Sequence, residues 1–134
     1  MFDKFKKLTP GGEPPSAQII KQFKLLVLRG LIKDGDEIPA RRKLAVHLGV
    51  NPLTVQKAFF ELEEAGLVRS SPSVKSVVRV DDEMLIILRG ELLDRQVTEL
   101  VVTAVSAGVG CDEMIEMVKS VYDWAGNFGK NRSG

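Results

Sequence analysis

Apolar positions recur at helical spacing in five stretches of this chain. Ile19, Ile20, Phe23, Leu26 and Val27 form the first stripe, which predicts a helix from a capping Ser16 to about Arg29, with Gly30 as its exit. Leu44, Ala45 and Leu48 mark the inner face of a short helix over 40–48. Pro39 ends the chain before it and Gly49 closes it, since glycine tolerates the left-handed backbone that follows a helix. Asn51 is a strong N-cap, and Pro52 suits the first helical position, where its missing N–H costs nothing. Val55, Ala58, Phe59 and Leu62 then face a core along a helix over 52–65, which Gly66 terminates.

The spacing changes after Gly66. Leu67-Val68-Arg69 and Ser76-Val77-Val78-Arg79-Val80 are β-branched runs around Ser70-Ser71-Pro72-Ser73, the pattern of a hairpin. Lys33-Asp34-Gly35-Asp36 is a turn. Asp81-Asp82 then offers the start of a long helix to about Ala107, with Gly90 inside it at a cost of about 1 kcal/mol relative to Ala. Gly108 and Gly110 break the chain, and a last helix begins at Cys111 or Asp112 with Met114, Met117, Val121 and Tyr122 on its stripe. Residues 1–15 and 127–134 lack periodicity and are expected as a flexible lead-in and a flexible tail.

The long helix is apolar on more than one face, and two helices cannot bury that much surface alone. Four can, so the pattern predicts a homodimer in which each chain adds a helical hairpin to a shared bundle. Leu85, Leu92, Leu93, Val97, Leu100, Val101, Ala104, Ile115 and Val118 are the expected dimerisation residues. The fold class that results is mainly α with a small β-hairpin wing. A winged helix-turn-helix over 16–80 is followed by a two-helix dimerisation appendage over 81–126.

Two short helices joined by Gly49-Val50-Asn51 form a helix-turn-helix, whose second helix is the reader. Thr54, Gln56 and Lys57 point outward in its first two turns and offer a hydroxyl, an amide and an ammonium to base edges and phosphates. Arg41, Arg42 and Lys43 put three cations on the preceding helix, where phosphate contacts would lie. The charge distribution agrees. Residues 1–80 hold 14 Lys and Arg against 8 Asp and Glu, a balance of +6, while residues 81–134 hold 5 against 10, a balance of −5. A basic half joined to an acidic piece points to a polyanion as partner of the first.

Composition excludes other classes. With 134 residues and 44% hydrophobic content, the chain holds one ordinary domain or a small domain with an appendage. No apolar run approaches the roughly 18–20 residues of a membrane span, so no membrane partner is expected. The first residues carry no hydrophobic leader, and Cys111 is the single cysteine, so a cytoplasmic protein without an internal disulfide is expected. His47 stands without a second His or a Cys at ligand spacing, and reads as a surface or half-buried residue rather than a metal ligand. Asp34-Gly35-Asp36 lacks the spaced acidic positions of a calcium loop. No catalytic constellation, cofactor motif or metal site is recognisable, and an enzyme is not expected.

The stretch Gly35-Asp36-Glu37-Ile38-Pro39-Ala40-Arg41-Arg42-Lys43-Leu44-Ala45 is similar to the G-D-x-L-P-S-x-R-x-L-A signature of the GntR family of bacterial transcription regulators. The resemblance continues through Leu48-Gly49-Val50-Asn51-Pro52-Leu53-Thr54-Val55-Gln56-Lys57-Ala58 to Glu61-Leu62-Glu63-Glu64-Ala65-Gly66-Leu67-Val68, about half the chain. The N-P-x-T-V-Q-[KR]-A form of the reading helix resembles the YtrA-like subfamily. The 54 residues after Val80 suit that subfamily's two-helix dimerisation appendage and are too few for the larger effector domains of other branches.

By resemblance, the protein is a homodimeric repressor of a transporter operon, often of the ABC type, that binds an inverted-repeat operator on double-stranded DNA. The resemblance implies that Arg42, Thr54 and Gln56 contact DNA, that Lys57 meets a phosphate, and that Asn51 caps the helix beside the backbone. The tail is short for enclosing a small-molecule effector, and none is assigned. The wing departs from the family pattern, which has a basic residue and Gly near the hairpin tip. Here the tip reads Ser71-Pro72-Ser73-Val74, with Lys75 the nearest cation, and Ala40 replaces the family's Ser. A winged helix that has lost DNA binding and serves protein contacts is the alternative those departures leave open.

Overall fold

The computed structural model of the chain describes residues 1–72 and 74–132; Ser73 of the wing tip and residues 133–134 of the tail lie outside the described residues. Helix α1 (Pro15–Leu28) is followed by α2 (Arg41–Leu48), α3 (Pro52–Glu64), an antiparallel hairpin of β1 (Val68–Ser71) and β2 (Val74–Val78), then α4 (Asp82–Ser106) and α5 (Cys111–Arg132). These elements form two compact units, residues 1–90 and 91–134. The architecture is a winged helix-turn-helix followed by two C-terminal helices.

The core of the first unit is built from the stripes of α1 to α3. Ile19 and Phe23 of α1, Leu44 of α2, and Val55, Phe59 and Leu62 of α3 are all fully buried. Phe23 and Phe59 meet edge to face, with ring centroids 5.9 Å apart and planes at 77°, the arrangement in which one ring's positive edge meets the other's negative face. Helix α1 begins differently from the sequence expectation. Pro15 takes the first helical turn after Pro14, and Ser16 lies inside the helix, 8% exposed, without capping it. Proline at this position presets the helical φ and forfeits no hydrogen bond, so no side-chain cap is required.

Residues 1–15 are not a loose lead-in. Phe2–Lys4 forms one turn of 3-10 helix, and Phe2 and Phe5 are buried in the core. Phe2 packs edge-on against both Phe5 and Phe59, at 5.9 and 6.1 Å. The segment after them runs along α1 and is held by two glutamines one turn apart. Gln22 Oε1 accepts from the backbone N–H of Lys6 and its Nε2 donates to the Lys6 carbonyl, both at 2.8 Å. Gln18 grips Thr9 the same way, at 2.8 and 3.0 Å, and also donates to the Glu13 carbonyl at 2.7 Å. Periodicity could not reveal this strap, because two phenylalanines and two amide grips are not a repeating pattern.

The first unit also takes in the start of α4. Leu88 is buried in its core, and Met84 and Leu85 pack against it. Leu85, expected at a subunit interface, is therefore used inside the winged-helix unit. Asp81 caps α4 through an Oδ1 that accepts the Met84 N–H at 2.8 Å. The helix continues through Gly90 without a break.

In the second unit, Ala104 is buried as well, its carbonyl accepting the Val109 N–H at 2.9 Å across the turn between α4 and α5. Residues 127–132, expected as part of a flexible tail, continue α5. Glycine at 126 and 129 lowers helix propensity by about 1 kcal/mol each but removes no backbone donor, and no proline follows. Among the described residues, no helix is long and apolar enough to cross a membrane.

Candidate nucleic-acid interface

The turn between α2 and α3 sets the geometry of the interface. Gly49 ends α2 in the left-handed region at φ 67°, a conformation that puts a β-carbon too close to the backbone. Its N–H reaches the Val46 carbonyl at 3.3 Å, and the Val50 N–H reaches that of Ala45 at 3.0 Å, closing the end of α2. Two residues later Asn51 opens α3, its Oδ1 accepting the Leu53 N–H at 2.9 Å. The cap expected of Asn51 is formed, with Pro52 directly after it.

Burial fixes the roll of α3. With Val55, Ala58, Phe59 and Leu62 facing inward, Gln56 and Lys57 are exposed and Thr54 is half-buried at the solvent boundary. None of the three has a side-chain partner among the described residues, so the hydroxyl, amide and ammonium remain available on one helical face. Leu53 joins them at 68% exposure. The helical spacing assigns it no role; the fixed roll of α3 turns it outward.

The three cations of α2 separate. Arg42 and Lys43 are exposed and have no carboxylate partner among the described residues. Arg41 is half-buried, its guanidinium carbon 5.4 Å from the centroid of the Phe59 ring. A guanidinium over an aromatic face is held by the ring's quadrupole, so Arg41 helps to hold α2 on α3. His47 is exposed at the end of α2, with Nε2 2.8 Å from the Phe5 carbonyl oxygen. That geometry has Nε2–H donating, and it ties the strap to the helix-turn-helix.

The hairpin is anchored by more than its own two strands. Val68 pairs with Val78 and Arg69 with Val77, with an irregularity between Arg69 and Ser71. The turn at 35–38 adds a third edge. Gly35 donates to Val78 at 2.8 Å, Ile38 to Ser76 and Val78 to Asp36, each at 2.9 Å. Asp34 Oδ1 accepts the Val80 N–H at 2.8 Å. Lys75, expected as the wing's DNA contact, is exposed and lies 3.5 Å from Glu37 on that added edge. An exposed pair of this kind contributes about 0–1 kcal/mol, so it positions Lys75 weakly. Pro72 is exposed at the tip.

Among the described residues, no three His, Cys, Asp or Glu side chains are grouped to hold a metal ion. In the second unit, Val97, Leu100, Val101, Ile115 and Val118 are between 45% and 53% exposed, and Leu93 54%. Residues of α4 and α5, among them Val97, Leu100, Ile115 and Val118, line an open apolar cleft of about 390 Å³.

Residues 15–78 match the sequence model of the family described as bacterial regulatory proteins, gntR family. Over 110 residues the chain is 32% identical to the HTH-type transcriptional repressor YtrA of Bacillus subtilis (strain 168), covering 81% of this chain and 84% of that protein. Among solved structures, a GntR family transcriptional regulator from Listeria monocytogenes shares the fold with a TM-score of 0.75 at 23% identity, over 84% of this chain and 98% of that one. YtrA from Sulfolobus acidocaldarius, a GntR-family transcription factor, aligns with a TM-score of 0.52 at 27% identity, over 89% and 97%. With its helix-turn-helix, its wing and a relative this similar along four-fifths of its length, the chain belongs to the GntR family of bacterial regulatory proteins in its YtrA-like form, as a DNA-binding transcription regulator and not an enzyme.

Proposed function

We propose that the protein acts as a homodimer, that the dimer binds an inverted-repeat operator, and that binding represses a transporter operon of the ABC type. The observation that carries the dimer is the apolar surface of the second unit. Leu93, Val97, Leu100, Val101, Ile115 and Val118 stand about half exposed in one patch spread over two helices, and a patch of that kind marks an interaction site. A second copy of the same helices has the matching surface, since a two-fold contact puts the same patch on both sides. Leu92 is half-buried in the same unit.

Two reading helices related by a two-fold axis enter successive major grooves, with half-sites about one helical turn apart. Gln56 and Thr54 are the residues for base edges, and Leu53 has the chemistry for a thymine methyl group. Arg42, Lys43 and Lys57 are the phosphate contacts, with Asn51 beside the backbone and Lys75 on the wing. Arg41 acts through α3, by bracing it. The repressor role is supported by the likeness to YtrA, and the transporter target by the subfamily resemblance of the reading helix. A regulator of this kind works beside the chromosome, in the cytoplasm.

Fluorescence anisotropy tests the reading directly. The full chain is titrated onto labelled duplex from its own promoter region and onto random duplex, across a salt series. Tighter binding to the promoter, with a steep salt dependence, is the expected result. Equal affinity for both duplexes would overturn specific operator binding.

A further inference from the structure

We propose that the cleft between the N-terminal strap and α1 is a binding site for a small phosphate-bearing ligand of nucleotide size. The cleft has a volume of about 490 Å³, within the roughly 300–1,000 Å³ of small-molecule sites. Lys4, Lys6 and Lys7 come from the strap, and Lys21 and Arg29 from α1. Glu13 is the one carboxylate among the lining residues. None of the five cations lies within 4.0 Å of a carboxylate among the described residues, so the lining is positive and unneutralised. A concave surface lined by one sign of charge focuses its field and concentrates counter-ions. Lys4 already donates to the Leu31 carbonyl at 2.9 Å, so an anion with several oxygens is met chiefly by Lys6, Lys7, Lys21 and Arg29.

The strap is what makes the site. Without the grips of Gln22 on Lys6 and Gln18 on Thr9, the strap lysines would be scattered on a mobile terminus. Those amides are committed to the backbone, so the cleft offers a ligand its cations and one apolar surface. That surface is Leu25, 42% exposed, with Leu26 beneath it. A flat ring over leucine with phosphates among lysines meets both features. A phosphate alone leaves the leucine surface wet.

The same geometry argues against the operator as occupant. Gln18, Lys21, Gln22, Leu25 and Arg29 lie on a different flank of α1 from Ile19 and Phe23, which face the core. A duplex lying on the outward face of α3 does not run through a cleft behind α1.

Isothermal titration of the full chain with ATP, in about 0.15 M salt, near-physiological screening, tests the site without any DNA. Adenosine and inorganic phosphate serve as controls. Saturable binding of one ATP per chain is expected, with no binding of adenosine and at least tenfold weaker binding of phosphate. Lys7→Glu and Lys21→Glu change exposed side chains, so the fold should persist, as circular dichroism would verify. Each should weaken ATP at least tenfold while leaving operator affinity measured without ATP unchanged. Absence of saturable ATP binding, binding that ignores both substitutions, or phosphate binding as tight as ATP would overturn the proposal. A loss of operator affinity in the two variants without ATP would also overturn it, by making the cleft a DNA surface.

Discussion

The Arg41 guanidinium lies over the ring of Phe59, 5.4 Å from its centroid, and so clamps the first helix of the helix-turn-helix to the reading helix. Phe59 is fully buried and touches Phe23 of α1 and Phe2 of the strap at its edges. One ring thus joins four segments of the chain: α1, α2, α3 and the strap. Arg42, the next residue, has no such role and remains exposed. Two adjacent arginines that look alike in sequence divide into a half-buried brace and an exposed side chain.

Substitution should separate them. Arg41→Ala should lower stability by about 0.5–1 kcal/mol, the usual size of a cation–π contact at a partly exposed site, read as a lower urea midpoint at unchanged slope. Arg42→Ala should leave the midpoint unchanged and weaken DNA binding.

On α3, Gln56 and Lys57 should behave differently toward DNA. Gln56→Ala should cost about 1–3 kcal/mol on the promoter duplex and relax the preference at one base pair per half-site. Lys57→Ala should weaken promoter and random duplex alike and reduce the slope of log affinity against log salt by about one per chain. Anisotropy across a salt series distinguishes the two.

Asn51→Ala removes the oxygen that accepts the Leu53 N–H, and should cost about 1 kcal/mol of stability. Asn51→Asp retains an acceptor and should restore it. Thermal unfolding of the three proteins gives the comparison.

Leu100→Asp places a carboxylate in the middle of the exposed apolar patch of the second unit. An unpaired charge at a buried interface costs several kcal/mol, so light scattering should report a monomer where the unmodified chain gives a dimer. The winged-helix unit does not contain Leu100, and its helical signal should survive. A monomeric unmodified chain at micromolar concentration would contradict the homodimer.

Replacing both Gln18 and Gln22 by Leu removes five hydrogen bonds that hold the strap. Hydrogen exchange should speed up at Lys6 and Thr9, whose N–H groups lose their acceptors, while the amides of α3 keep their protection. Local opening of this kind is the behaviour of a segment held by exposed hydrogen bonds.

The sequence by itself determined the elements that repeat and the residues that stop them. Helical spacing located all five helices, the β-branched runs located the hairpin, and Gly49, Asn51 and Pro52 located the turn that makes a reader of α3. These follow from local backbone chemistry and from which face of an element is apolar, and both are written in neighbouring residues. The signature from Gly35 to Val68 placed the chain in its family, and Gln56, Lys57, Arg42 and Lys43 stand exposed where that signature runs.

What only the tertiary structure decided concerns pairs of residues distant in the chain. Phe2 enters the core against Phe59 and brings Phe5 with it, and Gln22 holds Lys6 across sixteen positions. Arg41 gains a bracing contact that the sequence does not announce, because a buried ring lies beneath it. Leu85 and Ala104, expected at a subunit interface, find cover within their own units, while Leu53 turns out to solvent because its neighbours fix the roll of α3. A side chain's periodicity states that it needs a partner or water; which of the two it receives depends on what the rest of the chain brings alongside it.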